Sequence, residues 1–209
     1  MVNEVLQRLR ESTVSSVTTN AYSTLIGRLV NDSKRAVEDA WNWDALSITI
    51  PLNTVGSTSN YVVTGSGRRH KDVTINDTTN RIQLRNVPIQ WIINQQQLST
   101  VQQGNPVYYA WNGTNGTDSK IELYPTPNGV FTLQVSMYVP QADLSSDADI
   151  VMVPYEAITL GAYARAIVER GEDGGLNSSE AYQLYKNCLA DQISIEASRF
   201  VENSEWIAA

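Results

Sequence analysis

Residues 41–52 read Trp41-Asn42-Trp43-Asp44-Ala45-Leu46-Ser47-Ile48-Thr49-Ile50-Pro51-Leu52, and the chain changes character within them. On the N-terminal side the apolar residues repeat at helical spacing. Tyr22, Leu25, Ile26, Leu29, Val30, Ser33, Ala36, Val37 and Ala40 fall on one stripe. With Asn20 in the capping role, this predicts a helix from Asn20 to Trp41, about 30 Å long at 1.5 Å per residue. A Ser/Thr-rich break, Ser12 to Thr19, separates it from a short helix predicted over 2–11.

On the C-terminal side, from Ser47 to Val139, Thr, Val, Ile, Asn and Gly dominate and turn residues recur at short intervals. Strands are predicted at Ser47–Pro51, Tyr61–Thr64, Val73–Ile75, Arg81–Val87, Val107–Trp111, Ser119–Tyr124 and Phe131–Val139. The last alternates Phe131, Leu133, Val135, Met137 and Val139 with more polar neighbours, the period of a half-buried strand. Asn112-Gly113 and Asn115-Gly116 predict a hairpin, and Pro125-Thr126-Pro127-Asn128-Gly129 a turn.

Helix returns at Pro154, a residue favoured in a first turn because its missing N–H has no helical partner there. Tyr155 to Arg170 is rich in small residues (Ala157, Gly161, Ala162, Ala164, Ala166) that let helices approach closely, and Arg170-Gly171 is a suitable C-terminus. Asn177 and Glu180 match a capping box ahead of a final helix from about Ser178 to Val201. Its predicted inner face is Ala181, Leu184, Tyr185, Cys188, Leu189, Gln192, Ile195 and Ser198. The fold class that follows is α+β: a helical bundle from both chain ends (1–44 and 150–209) with an inserted antiparallel β domain (45–149).

The chain has 209 residues and a net charge of −7. Residues 150–209 hold four basic and nine acidic side chains, against five and six in 1–44 and six and seven in 45–149. This sign opposes tight binding of nucleic-acid phosphates. The single cysteine, Cys188, rules out an intramolecular disulfide. The N-terminal residues have no signal-peptide core, and no window approaches the ~18 apolar residues of a membrane span. The Asn-x-Ser/Thr triplets at Asn76, Asn112 and Asn115 therefore read as turn chemistry.

Catalytic machinery is hard to assemble from these residues. His70 is the only histidine, which removes the main component of His-based triads and metal sites. It sits in Gly65-Ser66-Gly67-Arg68-Arg69-His70-Lys71, read either as a solvated basic loop or as a contact for an acidic partner. Phosphate-cradling and dinucleotide motifs are missing, so no cofactor is expected. Gly171-Glu172-Asp173-Gly174-Gly175 is a tight helix–helix turn or an ion-binding loop, and it lacks the alternating ligands of an EF-hand. Cys188 reads as a small core residue. Trp41 and Trp43 suit a packed joint between the domains, with a stacking platform for sugar or base as the other reading. Tyr108, Tyr109 and Trp111 leave the same two readings, and neighbours on a strand point to opposite faces.

These features, taken in order, resemble the head-to-tail adaptor family of short-tailed phages, also called tail tubular protein A-like or gatekeeper proteins. The resemblance rests on the long helix leading into Trp41-Asn42-Trp43, the Thr/Ile strand after it, and Ile121-Glu122-Leu123-Tyr124-Pro125-Thr126-Pro127. An Ala-rich helix ending at Glu169-Arg170-Gly171 and a last helix with Tyr182 and Tyr185 complete it. Residues 53–105, with Gln95-Gln96-Gln97, are more polar than the family pattern.

The resemblance implies a structural virion protein made in the host cytoplasm. It implies a ring of twelve copies joining the portal to the tail nozzle, with tail fibre as a further partner and genomic DNA passing through without tight binding. Near the C-terminus, Phe200, Trp206 and Ile207 are candidate portal-binding residues, with folding back onto the same subunit as the alternative. The competing functions are a tail nozzle or completion protein, and a carbohydrate-binding or cell-wall-degrading tail component.

Overall fold

The computed structural model describes residues 1–97, 102–171 and 176–199. The chain divides into two compact units, Met1–Ala45 with Gln141–Ala209, and Leu46–Pro140. N- and C-terminal helices thus flank an inserted, largely antiparallel β domain.

The helical unit contains α1 (Val2–Arg8), α2 (Ala21–Ala40), α4 (Tyr155–Arg170) and α5 (Leu176–Ala197). Asn20 begins α2 as expected: its Oδ1 accepts from the Ser23 amide at 2.7 Å, and Ser23 Oγ accepts from the Asn20 amide at 3.1 Å. Helix α4 packs against α1, α2 and α5. A Cβ on Gly161 would lie 3.1 Å from the Tyr185 ring and 3.2 Å from Ser33 Oγ, so glycine there sets how closely α2 and α5 approach α4. Gly171, with φ +64°, closes α4 in the left-handed conformation that favours glycine. Helix α5 begins at Leu176, slightly ahead of the expected Asn177 cap. It buries Ala181, Tyr185, Leu189 and Glu196, while Leu184 and Ile195 are 57% and 55% exposed. Ser198, just past the helix end, is exposed as well, so three residues of the predicted inner face point outward.

Two charged residues lie inside the α2 stripe. Lys34 and Glu38, one turn apart, are fully buried and form an ion pair at 2.9 Å. Gln141 completes the pair from the returning chain: its carbonyl accepts from Lys34 Nζ at 2.7 Å and its amide donates to Glu38 Oε1 at 3.1 Å. From there residues 141–149 run back along α2. Asp143 pairs with Arg35, the Asn31 side chain bonds both the amide and the carbonyl of Leu144, and Asp147 accepts from the Val17 amide. This strap belongs with the helical unit, whereas the sequence placed it at the end of the insert.

The β unit is a sandwich. One sheet has the order β1 (Ser47–Asn53), β10 (Thr132–Tyr138), β3 (Lys71–Asp77), β4 (Ile82–Gln83); the other has β2 (Asn60–Val62), β8 (Ser119–Tyr124), β7 (Tyr108–Thr114), β5 (Arg85–Asn86). A short parallel pair joins β6 (Gln103–Gly104) to β9 (Thr126–Pro127), within what the sequence presented as a turn. The inward residues of both sheets, among them Ile75, Leu133 and Val135 on one and Tyr109, Ile121 and Leu123 on the other, form one core. The run Arg81–Val87, expected as one strand, is two. Ile82–Gln83 pairs with β3 and Arg85–Asn86 with β7, and buried Leu84 marks the crossing between sheets.

Helix α3 (Ile89–Gln96) was not expected. It covers the outer face of the second sheet, placing Ile92 against Ala110 and Tyr124. Trp91 packs on Tyr108 at 4.9 Å between centroids, the rings tilted by 57°, and meets Tyr124 edge-on at 5.5 Å. Tyr108 and Tyr109 are thus both packed, on opposite faces of one strand.

Removing one member of the buried pair leaves the other charge stranded. Lys34→Ala or Glu38→Ala should each lower stability by about 3–5 kcal/mol. The double replacement Lys34→Met/Glu38→Leu should cost less than the sum of the two. Urea unfolding of the three variants measures this, and strict additivity would refute the coupling.

Candidate interaction surface

Among the described residues no group of three or more His, Cys, Asp or Glu side chains is placed to hold a metal ion. No helix there is long and apolar enough to cross a membrane. His70 lies half-buried on Trp111, with ring centroids 4.3 Å apart. Cys188 is half-buried; burial and the carboxylates of Glu156 and Asp191 raise its pKa, which works against thiolate chemistry.

The basic loop 65–71 is tied to the β7–β8 hairpin. Asp118 Oδ1 accepts from the amides of Gly65 and Gly67 at 3.0 and 3.1 Å, and the Arg68 guanidinium donates to the Gly116 carbonyl. Ser66 Oγ accepts from the Ser119 amide at 3.0 Å. The hairpin tip is itself organised by Asn115, whose Oδ1 accepts from the amides of Thr117 and Asp118, the turn chemistry expected of its triplet. Arg68 and Arg69 remain exposed.

On the same strand as Ser119, Glu122 is buried in β8. Burial pushes its pKa up, but side-chain donors from Ser59, Asn60 (2.8 Å), Gln96 (3.0 Å) and Asn112 (3.1 Å) together hold it below the ordinary carboxylate value. Gln96 comes from the Gln95-Gln96-Gln97 run that stood out as unusually polar. It serves to fasten α3 to the sheet.

The helical unit carries most of the exposed apolar side chains. Met152, Tyr155 and Ile195 line a shallow groove with Trp43, Glu196 and Arg199. Tyr182, Leu184 and Val168 are also more than half exposed. Of the aromatic pair before the β unit, Trp43 is buried within the helical unit and its Nε1 donates to the Val37 carbonyl at 2.7 Å, near the end of α2. Trp41 is half-buried at the C-cap of α2. Phe200, Trp206 and Ile207 lie outside the described residues, as does the loop 172–175. The Lys34–Glu38 pair and the Leu184 and Ile195 exposures escaped sequence reasoning. For the last two, the close i, i+4 spacing of Ala181, Tyr185 and Leu189 was the available signal.

A family model described as SU10 adaptor protein matches residues 1–204. The chain belongs to the SU10 adaptor family. It is therefore a structural head-to-tail adaptor of a short-tailed phage, located at the head–tail junction of the virion, and not an enzyme. Comparison with curated proteins finds no match. Membership agrees with the chemistry of the adaptor's surface. Tyr108, Tyr109 and Trp111 in the β unit are packed against their own chain.

The depressed pKa of Glu122 sets a pH dependence. A carboxylate held below its ordinary value contributes stability above that value and loses the contribution as pH falls through the depressed one. The adaptor should lose thermal stability as pH falls below the ordinary carboxylate range, in part through Glu122. Glu122→Gln should be less stable at neutral pH and show a flatter acid limb. Parallel melting curves for the two proteins would refute this assignment.

Proposed function

We propose that the adaptor assembles as a closed ring, of twelve copies as the family resemblance implies, between the portal and the tail nozzle, and leaves a channel for the genome. The observation that carries this reading is the family match over residues 1–204. The charge of the helical unit supports it. That unit holds nine basic and eighteen acidic side chains, whereas the β unit holds six basic and four acidic. An acidic wall repels phosphates and lets DNA pass without gripping it. The proposed attachment to the portal uses the C-terminal residues Phe200, Trp206 and Ile207, since aromatic and aliphatic anchors in partner pockets carry much of the energy of an interface.

Sedimentation of the adaptor alone and with purified portal rings tests the assembly. The expected result is a ring-sized species that co-sediments with portal, and deletion of 203–209 should leave the subunit folded while weakening that binding. An adaptor that never joins portal would overturn the reading. Equal binding by the truncated chain would remove the tail from it.

Binding to duplex DNA should be weak at physiological salt. Fluorescence anisotropy with a labelled duplex checks this. A sub-micromolar dissociation constant, with the steep salt dependence of phosphate contacts, would contradict the repulsive channel.

A further inference from the structure

Helix α5 ends on the rim of a groove. The Ser198 amide still donates to the Ser194 carbonyl at 3.2 Å, but the Arg199 amide donates to the Glu196 carbonyl at 3.0 Å, a tighter turn that closes the helix. Ser198 Oγ donates to the Ile195 carbonyl at 2.7 Å. Arg199 lines the groove, and its guanidinium pairs with Glu196 at 2.9 Å. Glu196 Oε1 in turn accepts from the Asp44 amide at 2.8 Å, which fixes this end of α5 against the chain that follows α2. The ten residues after Arg199 therefore start from a held point on the groove itself.

The groove is apolar where it meets water. Met152 and Tyr155, at the start of α4, and Ile195, on α5, are each more than half exposed, and the buried Trp43 and Val153 also line it. Exposed apolar side chains gathered in one place mark a surface that is covered in some state of the molecule. The segment leaving Arg199 has the matching chemistry, with Phe200, Val201, Trp206 and Ile207 among its ten residues. It also has the length: Trp206 can lie up to about 24 Å from Arg199, whereas Ile195 is one helical turn away, about 6 Å along the axis. A tethered segment meets its own groove at an effective concentration of about a millimolar, which favours the same chain over a second copy. Glu202 and Glu205 share the sign of Glu156 on the groove, so apolar contact and not charge would hold the segment there.

We propose that in the subunit free of portal, residues 200–209 fold back into this groove and seat Trp206 and Ile207 against Met152, Tyr155 and Ile195. The inference rests on the reading of this segment as the portal anchor and gives the anchor a place before the portal takes it. The large apolar side chains of the anchor and those of the groove then cover one another until assembly. Portal competes with the groove for one segment, so an adaptor whose groove cannot hold it should bind portal more tightly.

A Glu-specific protease reads the segment directly, because Glu202 and Glu205 lie within it. In the double variant Met152→Glu/Ile195→Glu, cleavage at these two sites, followed by mass spectrometry, should be at least about tenfold faster than in the native chain. The protection in the native chain should persist on dilution and at high salt. Thermal melts establish that the variant folds. A second measurement does not depend on it. In a Cys188→Ser background, the pair Met152→Cys/Ile207→Cys should oxidise to an intramolecular disulfide much faster than the pair Val168→Cys/Ile207→Cys, since Val168 is about 20 Å along α4 from Tyr155.

Equal cleavage of native and variant chains, or equal oxidation of the two pairs, would overturn the docking and leave the attachment reading intact. Disulfide-linked dimers would give the groove to the segment of a second copy and overturn it as well. The oxidised form of the first pair should bind portal only after reduction. If it binds equally well before and after, the segment rests in the groove but is no portal anchor, and the attachment reading is the one that falls.

Discussion

The amide and the carbonyl of Gln141 reach two charges that the fold has taken out of water. Lys34 and Glu38 sit on the inward stripe of α2, and neither would be tolerable there alone. Their attraction offsets part of the desolvation cost, and Gln141 supplies a further acceptor to one and a further donor to the other. The same residue turns its side chain forward, donating to the Ile150 carbonyl and accepting from the Met152 amide. One residue thus fixes where the chain leaves the β unit, how the strap lies along α2, and where α4 begins. The position of α4 in turn sets the Gly161 contact with Ser33 and Tyr185, on which the packing of α5 depends.

The β unit solves its own problem differently. Its carboxylate in β8, Glu122, is held in the charged form by neutral donors from three separate segments, Ser59-Asn60, Gln96 and Asn112. The sandwich is closed by Leu84, where a short run abandons one sheet for the other. Because the outer face of the second sheet is covered by α3, the unit hides aromatic side chains on both sides of β7 and leaves the basic loop as its most distinctive outward feature.

Much of this was legible in residue order. The period of the apolar residues changes between Trp43 and Ser47, and that change marks the passage from helix to strand. Asn20, Gly171 and the paired Asn-Gly steps at 112–116 have single physical uses, and they serve them. The failures have physical causes. Lys34 and Glu38 look like solvated helix charges because a one-dimensional stripe cannot show a strap arriving from residue 141. Helix α3 was hidden because only Ile92 of its eight residues is fully buried, so its pattern is too thin to rise above its glutamines. Leu184 and Ile195 were assigned inward because a wide stripe was drawn on a helix that packs along a narrow one. The anchoring role of Phe200, Trp206 and Ile207 is a matter of partner surfaces, which one chain does not contain.

The discontinuity of the helical unit has a consequence for its biosynthesis. Helices α1 and α2 leave the ribosome with Lys34 and Glu38 already in place but with neither Gln141 nor α4 yet made. More than a hundred residues, including the whole sandwich, must follow before those charges can be enclosed. The β unit has its own core and can close during that interval, since domains fold as units while synthesis proceeds. The surface built from α1, α4 and α5 comes into existence only after the strap has arrived. The helical unit therefore cannot complete its fold until translation of the subunit is nearly done.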